Sequence, residues 1–328
     1  MAKVTSSDVA RRAGVSQSAV SRVFSGASAS KATKEKVRAA AAELGYRPNV
    51  LARSLITGRS RIIGLVVAYL ENPFYPDVLE RMSKALQAEG YHTLIFMASW
   101  SSDVDRVLEE LLDYQVDGII AASVALSDGL IDRCRGAGIP IVLFNRGQPE
   151  EGLTQVTCAN HAAGAAVARH LMATGHEAIA HVSGWDGSMT GRDRAAGFST
   201  ALREAGRDVR VRAGDYDRKK AAEAACALVD DGADALFVGN DHMAFGVIDA
   251  LRHERGMDVG KEISVVGFDD VPMAAWPSYD LTTWRQPAAQ MVSAAVDRMM
   301  ALIEGEAAPQ RVEIEGHLIQ RGSSRKET

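Results

Sequence analysis

Two different hydrophobic patterns divide the chain near residue 61. From there onward, short runs of apolar and β-branched residues alternate with longer stretches whose apolar residues recur at helical spacing. The short runs predict strands at residues 62–67, 93–97, 118–121, 139–144, 178–182, 235–238 and 264–267. The longer stretches predict helices at residues 77–89, 104–114, 162–174, 194–205, 219–230 and 243–255. This alternation is typical of βαβ units, and the number of strands favours two parallel sheets with a break near residues 159–161.

No strand pattern precedes residue 61. Amphipathic stretches at residues 6–13, 16–24 and 32–44 predict three short helices, the last of which is stopped by Gly45 with Pro48 just beyond it. Residues 48–60 are polar and basic, and we interpret them as a linker. The sequence therefore predicts an all-α domain at residues 1–47, a linker at 48–60 and a larger α/β domain at 61–328.

The first two predicted helices have the spacing of a helix-turn-helix. Two helices that cross closely need a small residue in the first helix, a turn residue that tolerates left-handed geometry, and apolar contacts from the second helix. These positions are occupied by Ala10, Gly14, Val15, Val20 and Val23. The pattern therefore predicts a DNA-binding motif at the start of the chain.

The polar residues of the second helix then face outward, where a recognition helix meets base edges and phosphates in the major groove. We predict DNA contacts in this part of the chain at Thr5, Ser16, Gln17, Ser18, Ser21 and Arg22. Gln17 can read adenine, and Arg22 can bind guanine or a phosphate. Thr5 is also predicted to form a capping box with Asp8, and Ser16 to cap the second helix.

The charge of the chain changes at the same boundary. Residues 1–61 carry twelve Lys and Arg against three Asp and Glu, whereas the remainder carries 25 against 39. A basic head on an acidic body indicates that the head alone binds a polyanion such as DNA. The first residues lack the apolar run of a signal peptide, and the three cysteines are far apart, which favours free thiols. We therefore expect a cytoplasmic protein without a membrane span.

Polar and aromatic side chains gather where the predicted strands of the body end. Ligands of open α/β folds bind at the carboxyl ends of strands, so residues there and at neighbouring helix starts are the candidates. They are Phe74, Asn145, Arg146, Thr190, Arg194, Tyr216, Asn240, Asp241 and Asp269. A carboxylate, an arginine and an aromatic ring suit a polyol, whereas Arg146 with Arg194 suits a sugar acid or a phosphate equally well. Asp241 has an alternative role as the cap of a helix that begins at His242.

No catalytic or metal-binding pattern accompanies these residues. The sequence has no GxSxG, GxxxxGK[ST], HExxH or GxGxxG motif, and its eight histidines lack the spacing of metal ligands. We therefore expect neither enzymatic activity nor a cofactor or metal site.

Several segments resemble the LacI/GalR family of bacterial repressors. In the head they are DVARRAGVS at residues 8–16, AVSR at 19–22, TKEKV at 33–37, LGYRPN at 44–49 and ARSL at 52–55. In the body they are NPF at 72–74, GND at 239–241, ISVVGFDD at 263–270 and LTT at 281–283. Lys34 and Ala29 stand where the family usually has arginine and valine. The resemblance covers nearly the whole chain.

The resemblance implies a two-lobed, periplasmic-binding-protein-like core with parallel sheets, preceded by the helix-turn-helix domain. Lobe 1 would comprise about residues 61–159 and 287–317, and lobe 2 about residues 160–286 and 318–328. Asn49, Arg53 and Leu55 would belong to a hinge helix that folds on operator DNA, with Leu55 wedged into a base step of the minor groove. An ordinary linker leucine packed on the body is the alternative for Leu55.

The resemblance also implies a function. The residues that it assigns to an effector are Arg194, Asn240 and Asp269 for polar groups, Phe74 and Tyr216 as apolar walls, and Gln286 near the cleft. We therefore expect a homodimeric repressor that binds pseudo-palindromic operator DNA and responds to a sugar or sugar derivative. A solute-binding protein of a transport system shares the body fold and is the alternative, although the basic head and the missing signal peptide argue against it.

Overall fold

The chain divides into two compact units in the computed structural model, Met1–Arg61 and Ile62–Thr328. The structure describes residues 4–25, 28–47, 59–98, 104–124, 126–149 and 152–326. The predicted hinge residues Asn49, Arg53 and Leu55 lie outside these ranges. We call the first unit the head and the second unit the body.

The head is built from three helices, α1 (Ser6–Ala13), α2 (Gln17–Ser25) and α3 (Lys31–Leu44). A capping box begins α1 as predicted, because Thr5 Oγ1 accepts a hydrogen bond from the Asp8 N–H and the Asp8 carboxylate accepts one from the Thr5 N–H at 3.0 Å. Gly14 ends α1 in the left-handed conformation (φ 65°), which a residue without a Cβ adopts at no steric cost. The buried core of the head consists of Val9, Ala10, Val20, Val23, Val37, Ala40 and Ala41.

The body alternates strands and helices along the sequence. Its strands are β1 (Ile62–Val67), β2 (His92–Met97), β3 (Gly118–Ala122), β4 (Ile141–Phe144), β5 (Thr154–Cys158), β6 (Ile179–Ser183), β7 (Arg210–Ala213), β8 (Ala235–Val238), β9 (Ser264–Asp269), β10 (Thr282–Arg285), β11 (Arg311–Ile314) and β12 (His317–Ile319). Its helices are α4 (Phe74–Ala88), α5 (Val104–Asp113), α6 (Asp128–Gly136), α7 (Asn160–Ala173), α8 (Met189–Glu204), α9 (Arg218–Asp230), α10 (Asp241–His253) and α11 (Ala288–Glu304). A 3₁₀ turn spans Pro272–Ala275.

The strands form two six-stranded sheets. The first has the order β11-β5-β4-β3-β1-β2 and is parallel throughout. The second has the order β12-β10-β9-β8-β6-β7 and is parallel except for β12, which runs antiparallel to β10. We call the half built on the first sheet lobe 1 and the half built on the second sheet lobe 2. The predicted pair of parallel sheets is confirmed.

The chain crosses between the two lobes three times. It passes to lobe 2 between β5 and β6, returns between β10 and β11, and passes again between β11 and β12. The last crossing consists of Glu315 and Gly316 alone. A Cβ added at Gly316 would overlap the carbonyl oxygen of Arg285, so the backbones are packed directly against each other there.

Candidate functional site

A cavity lies between the lobes at the carboxyl ends of strands from both sheets. Its walls are Tyr69, Asn72, Tyr75, Ser123, Asn145, Arg146, Ser188, Thr190, Arg194, Tyr216, Asn240 and Asp269. The volume in which the centre of a water molecule can lie is about 30 Å³. This volume holds about two water molecules. A sugar therefore fits only if the walls move apart.

The structure brings most of the predicted effector residues together in this cavity. They are Asn145, Arg146, Thr190, Arg194, Tyr216, Asn240 and Asp269. The sequence reasoning missed Tyr69, Asn72, Tyr75, Ser123 and Ser188. Tyr69 and Asn72 follow β1 and Ser123 follows β3, so the same rule about strand ends, applied to every strand, would have found these three.

Phe74 does not line the cavity, contrary to the prediction that it forms an apolar wall. Its side chain is 4% exposed and borders a neighbouring groove, and its ring packs edge-on against Tyr75 with the centroids 5.5 Å apart. Consecutive side chains on a helix point about 100° apart. Because α4 begins at Phe74, its first turn presents Tyr75 to the cavity and directs Phe74 away from it.

Asn240 lines the cavity, whereas Asp241, the next residue, does not. Asn240 is the cap of α10, since its Oδ1 accepts a hydrogen bond from the Met243 N–H at 2.9 Å, and it also lines the cavity. Asp241 lies behind the wall, where its carboxylate accepts from Thr283 Oγ1 at 2.6 Å and from the Val271 N–H at 3.0 Å. Burial raises the pKa of Asp241, with the charge of Asp269 as a second cause. Asp241 therefore ties α10 to β10 and touches no ligand space, and it is not the helix cap.

Asp269 connects the two lobes. Its backbone has a positive φ of 132°, which non-glycine residues rarely adopt, and its side chain is 5% exposed. Asn72 of lobe 1 donates to one carboxylate oxygen at 2.8 Å, and Gln286 donates to the other at 2.7 Å. Gln286 thus supports the site through Asp269 and does not line the cavity. Burial raises the pKa of Asp269, and the charge of Arg194 opposes that shift.

Arg194, on α8, is fixed by contacts with three other residues. Its Nη2 donates to Asn160 Oδ1 at 2.9 Å, and its Nη1 donates to the carbonyl oxygen of Gly239. Its guanidinium carbon lies 3.3 Å from the centre of the Phe268 ring. These contacts fix the guanidinium before any ligand arrives, which lowers the entropic cost of binding.

Arg146 makes a second connection between the lobes. It follows Asn145, whose left-handed backbone (φ 50°) turns the chain at the end of β4. Its Nη2 donates to the carbonyl oxygen of Gly187 at 2.7 Å, and its guanidinium carbon lies 5.5 Å from the centre of the Trp185 ring. Gly187 and Trp185 belong to the loop after β6 in lobe 2. Separation of the lobes must therefore break contacts on both Arg146 and Asp269.

The head exposes the side chains that are predicted to contact DNA. The side chains of Thr5, Ser16, Gln17, Ser18, Ser21 and Arg22 are all exposed, while Val20 and Val23 of the same helix are buried. Ser16 Oγ accepts from the Ala19 N–H at 3.2 Å, which confirms its predicted capping role. Gln17 donates to Ser6 Oγ at 3.0 Å across the turn. The N-terminal half of α2 is therefore free to enter a groove of DNA.

Other kinds of site leave no trace in the described ranges. Among these residues no group of three or more His, Cys, Asp or Glu side chains is placed to hold a metal ion. No described helix combines the length and the hydropathy needed to cross a membrane.

Comparison with known proteins covers both units. The family model described as bacterial regulatory proteins, lacI family, matches residues 5–49, and the model described as periplasmic binding proteins and sugar binding domain of LacI family matches residues 60–322. The HTH-type transcriptional regulator AscG of Escherichia coli (strain K12) is 32% identical over 96% of this chain and 97% of its own length.

Two solved structures are similar over nearly the whole chain. The lac repressor dimer bound to operator and the anti-inducer ONPF matches with a TM-score of 0.89 at 28% identity, covering 99% of this chain and 100% of that one. A complex of the transcriptional regulator CelR with cellobiose matches with a TM-score of 0.75 at 30% identity, covering 98% of this chain and 100% of that one.

Proposed function

The chain belongs to the LacI family of bacterial regulatory proteins, and we propose that it is a repressor whose affinity for its operator is controlled by a carbohydrate bound between the two lobes. As a member of this family it is a DNA-binding transcriptional regulator and not an enzyme. The alternative of a solute-binding protein for transport has no support among the relatives.

The observation that carries the proposal is the set of side chains around the cavity. Asp269 supplies acceptors for sugar hydroxyls, Arg194 supplies donors, and Tyr216 supplies an aromatic face for the apolar side of a sugar ring. All three are held by the carboxyl ends of strands or by adjoining elements. The similar regulator CelR has been solved in complex with cellobiose, which agrees with a carbohydrate as the ligand.

The two polar connections between the lobes supply the coupling. A ligand that occupies the cavity must separate or replace the contacts of Asn72 with Asp269 and of Arg146 with Gly187. Ligand binding therefore changes the relative free energies of open and closed lobes. An effector controls operator affinity to the extent that it binds these two arrangements with different affinity.

We propose a homodimer on a pseudo-palindromic operator, with Asn49, Arg53 and Leu55 in the segment that joins head and body. The lac repressor, similar over the whole chain, has been solved as a dimer on its operator. The two family models meet close to this segment, which supports a head at residues 1–47, a linker at 48–60 and a body from residue 61. The site of action is then the cytoplasm, where bacterial DNA lies.

The proposal is tested by selecting bound sequences from random duplex DNA at fixed salt and then adding sugars to the selected complex. We expect an enriched palindrome that at least one sugar releases. Asp269→Ala should weaken the sugar response by roughly 10- to 100-fold, because charge-assisted hydrogen bonds are lost, and should leave the selected DNA sequence unchanged. Asp231→Ala, which removes an exposed carboxylate outside the cavity, is the control. Equal responses in the two variants would remove Asp269 from the effector site.

A further inference from the structure

The cavity contains a buried positive charge without a negative partner. Arg146 is 4% exposed, and its Nε is buried with no hydrogen-bond partner. Within the described parts of the chain, no carboxylate lies within the 4.0 Å of an ion pair from its guanidinium. Its polar contact is with the neutral carbonyl oxygen of Gly187. The Gly187 carbonyl oxygen and the Trp185 ring offset only part of the desolvation cost of this buried cation, because neither carries a negative charge.

The second buried arginine of the cavity is compensated. Arg194 has hydrogen-bond acceptors on Asn160 and Gly239, and the charge of Asp269 acts on it through space. The Asp269 carboxylate therefore neutralises one of the two arginines, and the cavity retains the charge of Arg146.

The surroundings of Arg146 add positive potential. Burial lowers the pKa of Arg146, Tyr75 and Tyr216 oppose that shift, and the nearby guanidinium of Arg192 adds to it. Ser188, another wall residue, is the cap of the sixteen-residue helix α8, so the positive end of that helix faces the same space. The charge of Arg192 and the N-terminus of α8 both repel a cation and attract an anion.

We propose that the effector carries an anionic group, a carboxylate or a phosphate, and that this group binds at Arg146. The inference rests on the proposed function and specifies its ligand as a sugar acid or a sugar phosphate. The anion supplies the missing acceptor for Nε and the missing counter-charge. Asn145, whose Oδ1 is also buried without a partner, accepts a hydrogen bond from an adjacent hydroxyl of the same ligand.

The test is calorimetric titration of the full-length protein with matched sugars that differ in charge. The probes are D-glucose, D-gluconate, D-glucuronate and D-glucose 6-phosphate, together with the corresponding galactose series. We expect at least one acid or phosphate to bind at least about 30-fold more tightly than its neutral parent, which is the lower range for a buried charge pair. A preference for the sugar acids would identify the anionic group as a carboxylate, and a preference for the sugar phosphates would identify it as a phosphate.

Variants at two arginines locate the anion. Arg146→Gln should abolish the preference for the charged ligand, and Arg146→Lys should retain part of it because the charge remains while the planar fork is lost. Arg203→Gln makes the same charge change at an exposed position in the last turn of α8 and should alter affinity less than about threefold. Thermal melting of each variant verifies that it is folded.

Two results would overturn the inference. One is the absence of any preference for an acid or a phosphate across the panel, and the other is a preference that survives Arg146→Gln. Neutral sugars that bind and release the operator would uphold the proposed function while overturning the anionic effector. Failure of every sugar, charged or neutral, to release the operator would count against the proposed function itself.

Discussion

His181 is an ionisable residue that the fold keeps neutral. It is 1% exposed in β6, and its ring stacks on Phe237 with the centroids 4.8 Å apart. Its Nδ1 lies 2.9 Å from the carbonyl oxygen of Phe237, so this nitrogen carries the proton and donates it. Burial lowers the pKa of His181 to about 4. The residue is a core side chain of lobe 2 and does not line the cavity.

The depressed pKa of His181 predicts a loss of stability in acid. The unfolded chain takes up a proton near the ordinary histidine pKa of about 6.5, whereas the folded protein resists it until about pH 4. Stability is therefore fully present above about pH 6.5 and is lost as the pH falls toward 4, by an amount on the order of 3 kcal/mol. In His181→Phe, the denaturant-unfolding free energy should fall less across this window than in the wild type. Identical pH profiles for the two proteins would contradict the assignment.

Prediction of single residues from the sequence succeeded where a strand end fixes the position. Asn145 and Arg146 follow the end of β4 and Asp269 ends β9, and the structure places all three in the cavity. The prediction failed where the orientation of a helix about its own axis determines which side chain faces the cavity. Phe74 points away from the cavity, whereas its neighbour Tyr75 lines it. A hydrophobic pattern gives the buried face of a helix but not which buried residue borders a cavity, because that depends on how two lobes meet.

Two glycines allow helices α7 and α8 to pack with their backbones in contact. A Cβ at Gly164 would overlap the carbonyl oxygen of Arg194, and a Cβ at Gly197 would overlap that of His161. Arg194 lies on α8 three residues before Gly197, so this close packing also determines where the guanidinium stands.

Gly197→Ala should therefore push the two helices apart. We expect a loss of about 1–3 kcal/mol in the free energy of unfolding, together with weaker effector binding because Arg194 moves. Gly129→Ala in α6 is the matched control, since a Cβ there has nothing within 4 Å, and should stabilise by about 0.5–1 kcal/mol. Thermal and denaturant melts of both variants provide the measurement. A neutral effect of Gly197→Ala would mean that the helices can separate without cost.

The strands with apolar runs were predictable, and the short polar ones were not. β1 and β8 match their predicted bounds, whereas β5, with the sequence TQVTC, and the short strands β10, β11 and β12 escaped the prediction. Each has three to five residues, which are too few to show a period. α6 also escaped, since glycines at both ends and several charges hide its apolar face. α11 has a clear helical pattern but was not among the predicted helices, because the predicted alternation of strands and helices ended before residue 288.

At the scale of the whole molecule, charge separates the two units. The basic residues of the head and the acidic excess of the body mean that DNA attracts one unit and repels the other. Electrostatic attraction therefore brings the head, and not the body, to the DNA before any base is contacted. The affinity must also depend steeply on salt, because each phosphate contact releases counterions.

The salt dependence gives a prediction for Arg22, which is exposed on α2. If Arg22 binds a phosphate, Arg22→Ala should reduce the slope of log affinity against log salt concentration by about one for each head. Arg203→Ala, at an exposed position of α8 in the body, should leave the slope unchanged. The measurement is a titration of operator DNA at several salt concentrations. An unaltered slope with lower affinity would indicate instead that Arg22 reads a base.

The two-residue crossing between β11 and β12 constrains how the body can deform. With Gly316 pressed against the backbone of Arg285, the lobes have no slack at that point and cannot slide past each other. A rotation about an axis close to this crossing would stretch the two linking residues less than a slide would. Distance from the axis then acts as a lever arm, so that a small angle at the ligand becomes a large displacement at remote positions of either lobe. A single methyl group added near the axis would narrow the angular range of the whole protein without touching either of its binding sites.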